Sequence, residues 1–275
     1  MRKLTFHLFY VFARLLSLLP FSWLYALSSA IYPFLFYVFP YRKKLVLKNL
    51  RSSFPSKTKK EITKIARRFY KHFCDSFFES ITYGFKSEEE ISDRFRVKNP
   101  EICHELYQKK ISISLMMSHY GTWEWAAIIP RSIPHVVLPI YKPLKNTFFD
   151  NYIRKNRERF GAQTVPLEKI LKTLINYEKQ NIPTITYFLA DQRPLMAKIQ
   201  YWTTFLNQDT PVVVGPEKIA HHFNHAVLFL KVKKIKRGYY EAEFIFIARE
   251  AESLEKYEII AKYHENLGKL IEEEL

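Results

Sequence analysis

Cysteine is scarce in this chain. Of 275 residues only Cys74 and Cys103 carry thiols, and they form no C-x-x-C pair. Reduced thiols in a cytoplasmic domain are therefore expected. Glycine is scarce too, at six residues, and none falls in a G-x-G-x-x-G or P-loop pattern. A nucleotide-binding loop is thereby excluded. Acid is almost missing from Arg42 to Lys71, where Glu61 stands alone against the cations at 42, 43, 44, 48, 51, 57, 59, 60, 64, 67, 68 and 71. Charge of either sign is missing from Phe21 to Pro40. That run is long enough to cross a bilayer.

What is present is apolar and basic. Hydrophobic residues make up 48% and aromatics 16%, ample for one large core, and the net charge is +16. Between residues 4 and 40 only His7 and Arg14 interrupt the greasy composition with charge or a titrating imidazole. Ser28, Ser29 and Pro33 break up a clean span, while Trp23, Tyr25, Tyr32 and Tyr37 suit a membrane interface. A cleaved signal peptide would need a shorter apolar core and an A-x-A site. The expectation is an uncleaved anchor, either one span or a helical hairpin dipping into one leaflet. Arg42-Lys43-Lys44 then place the following domain on the cytoplasmic side. Each cation of this band adds about 1 kcal/mol of attraction to anionic lipid. Nucleic acid is the competing reading of so basic a chain, but the cations flank an apolar segment and no nucleic-acid motif accompanies them. Acid collects instead at the other end, at Glu250, Glu252, Glu255, Glu258, Glu265 and Glu272 to Glu274.

Thr58-Lys59-Lys60-Glu61 is a capping box. Ile62, Ile65, Ala66, Phe69, Phe73 and Phe77 then recur at helical spacing and predict a stripe packed in the core, with cations mostly opposite. Pro100 opens a short helix. Beyond it, strands at 111–118, 135–140 and 183–190 alternate with helices from about 122, over 146–160 and over 167–179. Gly161 closes the second of these helices. This rhythm implies βαβ units and a largely parallel sheet. Segments 226–235 and 239–247, split by Arg237-Gly238, read as a hairpin, and a last helix covers about 252–274. The predicted fold is α/β, a central mostly parallel sheet flanked by helices, with an N-terminal membrane-associated helical segment. The predicted units are an anchor at 1–40, a basic amphipathic helical region at 41–98 and an α/β domain at 99–275.

The chain is organised around Ile111 to Ala127, ISISLMMSHYGTWEWAA. An apolar strand there ends in His119, at the carboxyl edge where open α/β sheets hold ligands. Glu124 follows five residues on. In one continuous helix the two side chains would diverge by about 140°. They can meet only if His119 lies on a loop and Glu124 on the first helical turn, with Gly121 permitting the bend. In such a pair the imidazole takes a proton from an attacking hydroxyl or amine, and the carboxylate orients it. A lone histidine after a strand is more often structural.

H-x4-E in the form HYGTWEW resembles the signature of the bacterial lipid A late acyltransferases, within the lysophospholipid acyltransferase superfamily. Other blocks extend the likeness along nearly the whole chain. Tyr41-Arg42-Lys43-Lys44, Lys48-Asn49-Leu50, Ser53-Phe54-Pro55 and Ala66 to Tyr70 resemble its N-terminal block. Arg157 to Gly161 resembles its second. Ala190-Asp191-Gln192 with Phe205-Leu206-Asn207-Gln208 resembles its third. The resemblance implies an acyltransferase of the inner membrane, with His119 and Glu124 catalytic. It implies transfer of a fatty acyl chain from an acyl thioester (acyl carrier protein, or acyl-CoA as the other donor) to a hydroxyl of a lipid A precursor or related glycolipid. No metal or bound cofactor is implied. An acidic carrier protein would give the basic surface a second use in docking.

The same resemblance makes an arginine of the Arg157–Gly161 block part of the substrate pocket, gripping a phosphate or a developing oxyanion. Arg157 and Arg159 compete for that role, and Arg157 is the choice. The bland alternative is a pair of cations at a helix end. Asp191, Gln192 and Arg193 follow the strand 183–190, at the same sheet edge as His119 if the two strands run parallel. The resemblance places them by the acceptor, and a plain turn before Pro194 is the alternative. The F-P-E-G block of glycerophosphate acyltransferases is absent, which argues against a phosphatidic-acid enzyme. Glu217, His221 and His225, four apart, could imitate metal ligands. No fourth ligand or H-E-x-x-H order supports this, and a solvated helix face is expected. The remaining alternatives are a lysophospholipid or other lipid acceptor, or a non-catalytic peripheral protein that holds anionic lipid.

Overall fold

A computed structural model of the chain describes residues 2–275. Its strands are β1 (Phe95–Val97), β2 (Ile113–Met117), β3 (Val136–Tyr141), β4 (Val165–Pro166), β5 (Thr184–Leu189), β6 (Trp202–Phe205), β7 (Gln208–Pro211), β8 (Ala226–Lys236) and β9 (Tyr239–Ala248). Its helices are α1 (Arg2–Ser17), α2 (Phe21–Pro33), α3 (Lys43–Ser53), α4 (Lys59–Thr82), α5 (Glu88–Ser92), α6 (Glu101–Gln108), α7 (Thr147–Glu158), α8 (Ile170–Lys179), α9 (Gly215–His222) and α10 (Glu258–Glu273). Seven strands form the main sheet in the order β1-β9-β8-β2-β5-β3-β4. Every neighbouring pair in it is parallel except the β8–β9 hairpin. The α/β fold with a mostly parallel sheet is thus present as expected.

All five residues of β2 are buried, as a central parallel strand covered on both faces requires. Alternate residues serve different layers. Ile113, Leu115 and Met117 face the core shared with the N-terminal helices, whereas Met116 faces the core beneath α10. Because β2 lies between β5 and β8, the chain leaves it in one direction and returns on the other side. That switch point opens a crevice at the carboxyl ends of the strands.

The helix predicted from about residue 122 is instead a 3-10 segment, Trp123–Arg131, with Pro130 inside it. The final helix begins at Glu258, later than expected. The β6–β7 hairpin was not foreseen. It turns through Leu206 and Asn207, both with positive φ. The stripe on α4 also differs. Its buried face runs through Ile62, Ala66, Tyr70, Cys74 and Phe78, at intervals of four, and carries Asp75, Glu79 and Thr82 with it. Phe69, Phe73 and Phe77 stay 39–52% exposed. The buried face meets α2, the turn after it and α3, and these rings look outward beside it.

Pro20 separates α1 from α2, and both helices lie along the domain. Phe21, Leu24, Tyr25, Ser28 and Tyr32 of α2 are buried, while Trp23, Leu27 and Ile31 are exposed. Leu4, Leu8, Val11, Phe12 and Leu15 of α1 are exposed as well. Phe21–Val38 is long and apolar enough to span a membrane. A contiguous apolar outer face of this kind marks a membrane or partner contact. The inner face is fastened by charge. Arg237, at the tip of the β8–β9 hairpin, donates from Nε and Nη2 to Asp75 at 3.0 and 2.6 Å, and from Nη2 to the Tyr25 carbonyl at 2.9 Å. Ser28 donates to the same Asp75 at 2.6 Å.

Three buried imidazoles make stability depend on pH. Burial pushes His72, His135 and His225 down to about 4 from an ordinary 6.5. Between those values the unfolded chain binds more protons than the folded one. Stability is therefore full above pH ~6.5 and falls as the pH drops towards ~4. The melting temperature is expected to be flat near neutrality and to fall steadily below it. His225→Asn, which keeps a partner for Ser114 Oγ, should remove part of that slope. Thermal melts of both proteins across this window check it. Identical pH slopes for the two would exclude His225 as a contributor.

Candidate active site

The site is built at the carboxyl ends of β2 and β5. The two strands pair in parallel with Met117 opposite Leu189. Two residues further on, the same register sets His119 beside Asp191. His119 Nδ1 lies 2.7 Å from Asp191 Oδ1, and the His119 amide donates to Oδ2 at 2.9 Å. A carboxylate only accepts, so Nδ1 carries a proton, and Nε2 is the nitrogen available to act as base. Trp123 packs edge-on against the imidazole, ring centres 5.3 Å apart. The His119 side chain remains 31% exposed, enough for a substrate to reach it.

Glu124 does not contact His119 as expected. Gly121 bends the loop with φ +59°, and its Cα faces Tyr240, where a Cβ would meet the ring at 2.9 Å. The 3-10 turn then carries Glu124 inward, 3.8 Å from Arg157 Nη2. Burial pushes the Glu124 carboxyl up, and Arg157 and Ser80 offset part of that. Burial likewise pushes Arg157 down, with Glu124 opposing. The Arg157 guanidinium lies over the Trp123 ring at 5.0 Å, and its buried Nε has no protein partner. His119 and Glu124 are therefore joined through Trp123, which touches both the imidazole and the cation beside Glu124.

Of the two competing arginines, the structure brings Arg157 to the site. Arg159 is spent on the backbone, donating to the carbonyls of Tyr83 at 2.9 Å and Lys86 at 2.5 Å. Gln192 and Arg193 lie exposed in the loop after Asp191. Asn207 and Gln208 lie elsewhere. They donate to the carbonyl and hydroxyl of Ser53 at 2.9 and 3.0 Å and tie the β6–β7 hairpin to the end of α3. Glu217 and His225 are not on a solvated face. Glu217 is buried and accepts the amides of Tyr257 and Ile260 at the start of α10, and His225 is buried against Ser114. Among the described residues no group of three or more His, Cys, Asp or Glu could hold a metal.

Two clefts meet at Glu124 and Arg157. One, with about 430 Å³ of empty volume, runs along the sheet edge past Met117, Ala127, Tyr187 and Leu189. The other, with about 650 Å³, opens between α1, α4 and α7 and is walled by Phe9, Phe77, Phe149 and Ile153. Mostly apolar walls with a few convergent polar groups are what a ligand site requires. Sequence reasoning missed Asp75 and Glu79. Their signal was present as two acids four apart within the apolar repeat of α4.

A histidine–carboxylate pair at the ends of two parallel strands, with apolar clefts nearby and greasy N-terminal helices on the same chain, suits an enzyme that acts on lipid. The comparison narrows this class. The sequence model for bacterial lipid A biosynthesis acyltransferases matches residues 1–274, and the chain belongs to that family. Comparison with curated proteins gives no match.

Proposed function

We propose that the protein moves a fatty acyl chain from an acyl thioester, carried by acyl carrier protein, to a hydroxyl of a lipid A precursor. The observation that carries this reading is the 2.7 Å His119–Asp191 contact, whose imidazole packs on Trp123, a wall of the apolar cleft along the sheet edge. In the proposed step His119 Nε2 takes the hydroxyl proton as the oxygen bonds to the thioester carbonyl carbon. Asp191 holds the ring and stabilises the imidazolium. The tetrahedral oxyanion collapses, the C–S bond breaks, and the leaving thiolate takes the proton back. The products are an ester and a free carrier thiol. Arg157 would steady a substrate phosphate or the oxyanion, with Glu124 holding its guanidinium in place. None of these steps calls for a bound cofactor. The clefts would take acyl chains, and the basic band from Arg42 to Lys71 would meet the acidic carrier or anionic lipid.

The test is acyl transfer by the purified full chain in detergent, from acyl carrier protein and separately from acyl-CoA, to a lipid A precursor, read by mass spectrometry. Lipid A from cells with and without the gene should differ by one acyl chain. A chain that binds anionic vesicles but transfers nothing from either donor would leave a lipid-binding role in place of this one.

The N-terminal hairpin gives a separate expectation. We place α1 and α2 in the cytoplasmic side of the inner membrane, with their outer apolar faces in lipid. The full chain should pellet with membranes and resist high-salt washing, because apolar insertion is not screened. Deleting residues 1–40 should leave weaker binding that salt removes. Release of the full chain by salt alone would contradict the placement.

A further inference from the structure

Glu79 is a buried acid with no counter-ion. It is 1% exposed, in the last turn of α4, and no described cation pairs with it. Three hydroxyls reach its carboxylate from three distant parts of the chain. Tyr25 of α2 donates to Oε1 at 2.8 Å, and Tyr240 of β9 donates to Oε2 at 2.9 Å. The third donor is Thr122, whose Oγ1 also bonds Oε2. Burial and the charge on Glu79 both favour the protonated phenol of Tyr240, which keeps it a donor.

Thr122 is the pivot of the loop between His119 and Glu124. It is 1% exposed and has non-helical φ −91° and ψ 61°. Its carbonyl accepts the Trp125 amide at 2.9 Å and so begins the 3-10 turn that carries Glu124 inward. Just before it, the ring of the same Tyr240 leaves no room for a Cβ at Gly121. One carboxylate thus holds the side chain of the pivot and the tyrosine that floors the bend. A desolvated carboxylate is costly, and it is tolerated here because three donors satisfy it at once. A plain structural cluster would need only shape and some polar acceptor at this point. The contacts of Glu79 instead converge on the segment that aims both groups of the H-x4-E motif.

We propose that Glu79 is a positioning residue for acyl transfer. It sets the pivot at Thr122, and through Tyr25 it makes α2 part of the same unit. This rests on the catalytic reading of His119 given above.

The experiment uses the full chain in detergent micelles and compares Glu79→Gln, Thr122→Val, Thr122→Ser and Tyr25→Phe with wild type and His119→Ala. Turnover, KM, melting temperature and hydrogen exchange of the 118–126 segment are measured for each. Glu79→Gln and Thr122→Val should lower kcat by about 10–100-fold with little change in KM, since a misplaced group on this scale costs about that much. Exchange in 118–126 should quicken while that of β2 and β5 is unchanged. Thr122→Ser, which keeps the hydroxyl, should restore near wild-type turnover. Tyr25→Phe should lower kcat in the wild-type background and lower it no further in Glu79→Gln. Wild-type kcat in folded Glu79→Gln and Thr122→Val overturns the positioning role. If Glu79→Gln does not fold, Thr122→Val decides, because it removes the same bond from the loop side. If wild type transfers no acyl group, or His119→Ala is fully active, the catalytic reading fails instead. Hydrogen exchange still decides the tether in that case: an unchanged rate over 118–126 in Thr122→Val overturns it.

Discussion

Replacing His119 with Ala is expected to lower turnover by about 10²–10⁴-fold, the range for removing a positioned general base. Substrate affinity and membrane binding should change little, because the imidazole matters mostly as the C–O bond forms. Asp191→Asn should be severe for a different reason. The amide can donate to Nδ1, which favours the tautomer with its proton on Nε2, the nitrogen that must act as base. The double variant should be little worse than His119→Ala, because the two residues act as one unit joined by a 2.7 Å contact. Initial rates of acyl transfer in detergent, with folding checked by thermal melt, measure all three. Strictly multiplicative losses would show that the residues act separately. A folded, fully active His119→Ala protein would end the catalytic assignment.

The second large effect is expected at Arg157. If its guanidinium holds a phosphate or oxyanion in two-pronged fashion, Arg157→Ala should cost about 10²–10³ in kcat. Arg157→Lys should be nearly as harmful, because an ammonium lacks the planar fork and the stacking over Trp123. Glu124→Gln should fall in the same direction, since it leaves the largely buried cation without its counter-charge. Combining Glu124→Gln with Arg157→Ala should cost less than the product of the singles, for the cation that needed Glu124 is gone. A lysine variant that turns over normally would reduce Arg157 to a packed surface cation.

Much of this was legible before any coordinates. The apolar run before His119 read as a buried strand, and β2 is buried throughout. The β8–β9 hairpin was marked by Arg237-Gly238, and the start of α4 by its capping box, which the structure contains. That Asp191 ends a strand at the same edge as His119 followed from the alternation of strands and helices. Which strands are neighbours did not, because order in a sheet is set by long-range packing that no local pattern encodes. Adjacency of β2 and β5 is what turns two separate edge residues into a contact. The direction of Glu124 was missed because it depends on one 3-10 turn, and helical spacing alone does not distinguish that turn from an α-helix. The stripe on α4 was misplaced because aromatic rings fill two adjacent faces. Hydrophobicity cannot say which of them packs inside and which stays exposed.

The Arg237 clamp bears on how the protein is made. Its partners on α2 stand up to 212 residues earlier in the chain. A ribosome adding roughly 5–20 residues per second reaches Arg237 at least ten seconds after Tyr25. The acids that take the Ser28 and Tyr25 hydroxyls are made early in that interval, but the arginine that engages the Tyr25 carbonyl and the Ser29 hydroxyl is not. With its outer face in lipid as proposed, α2 would wait there with part of its polar side still unpaired. Full docking of α2 becomes a late event of biogenesis, completed when the β8–β9 tip emerges, and a translation product truncated before Arg237 would lack the clamp.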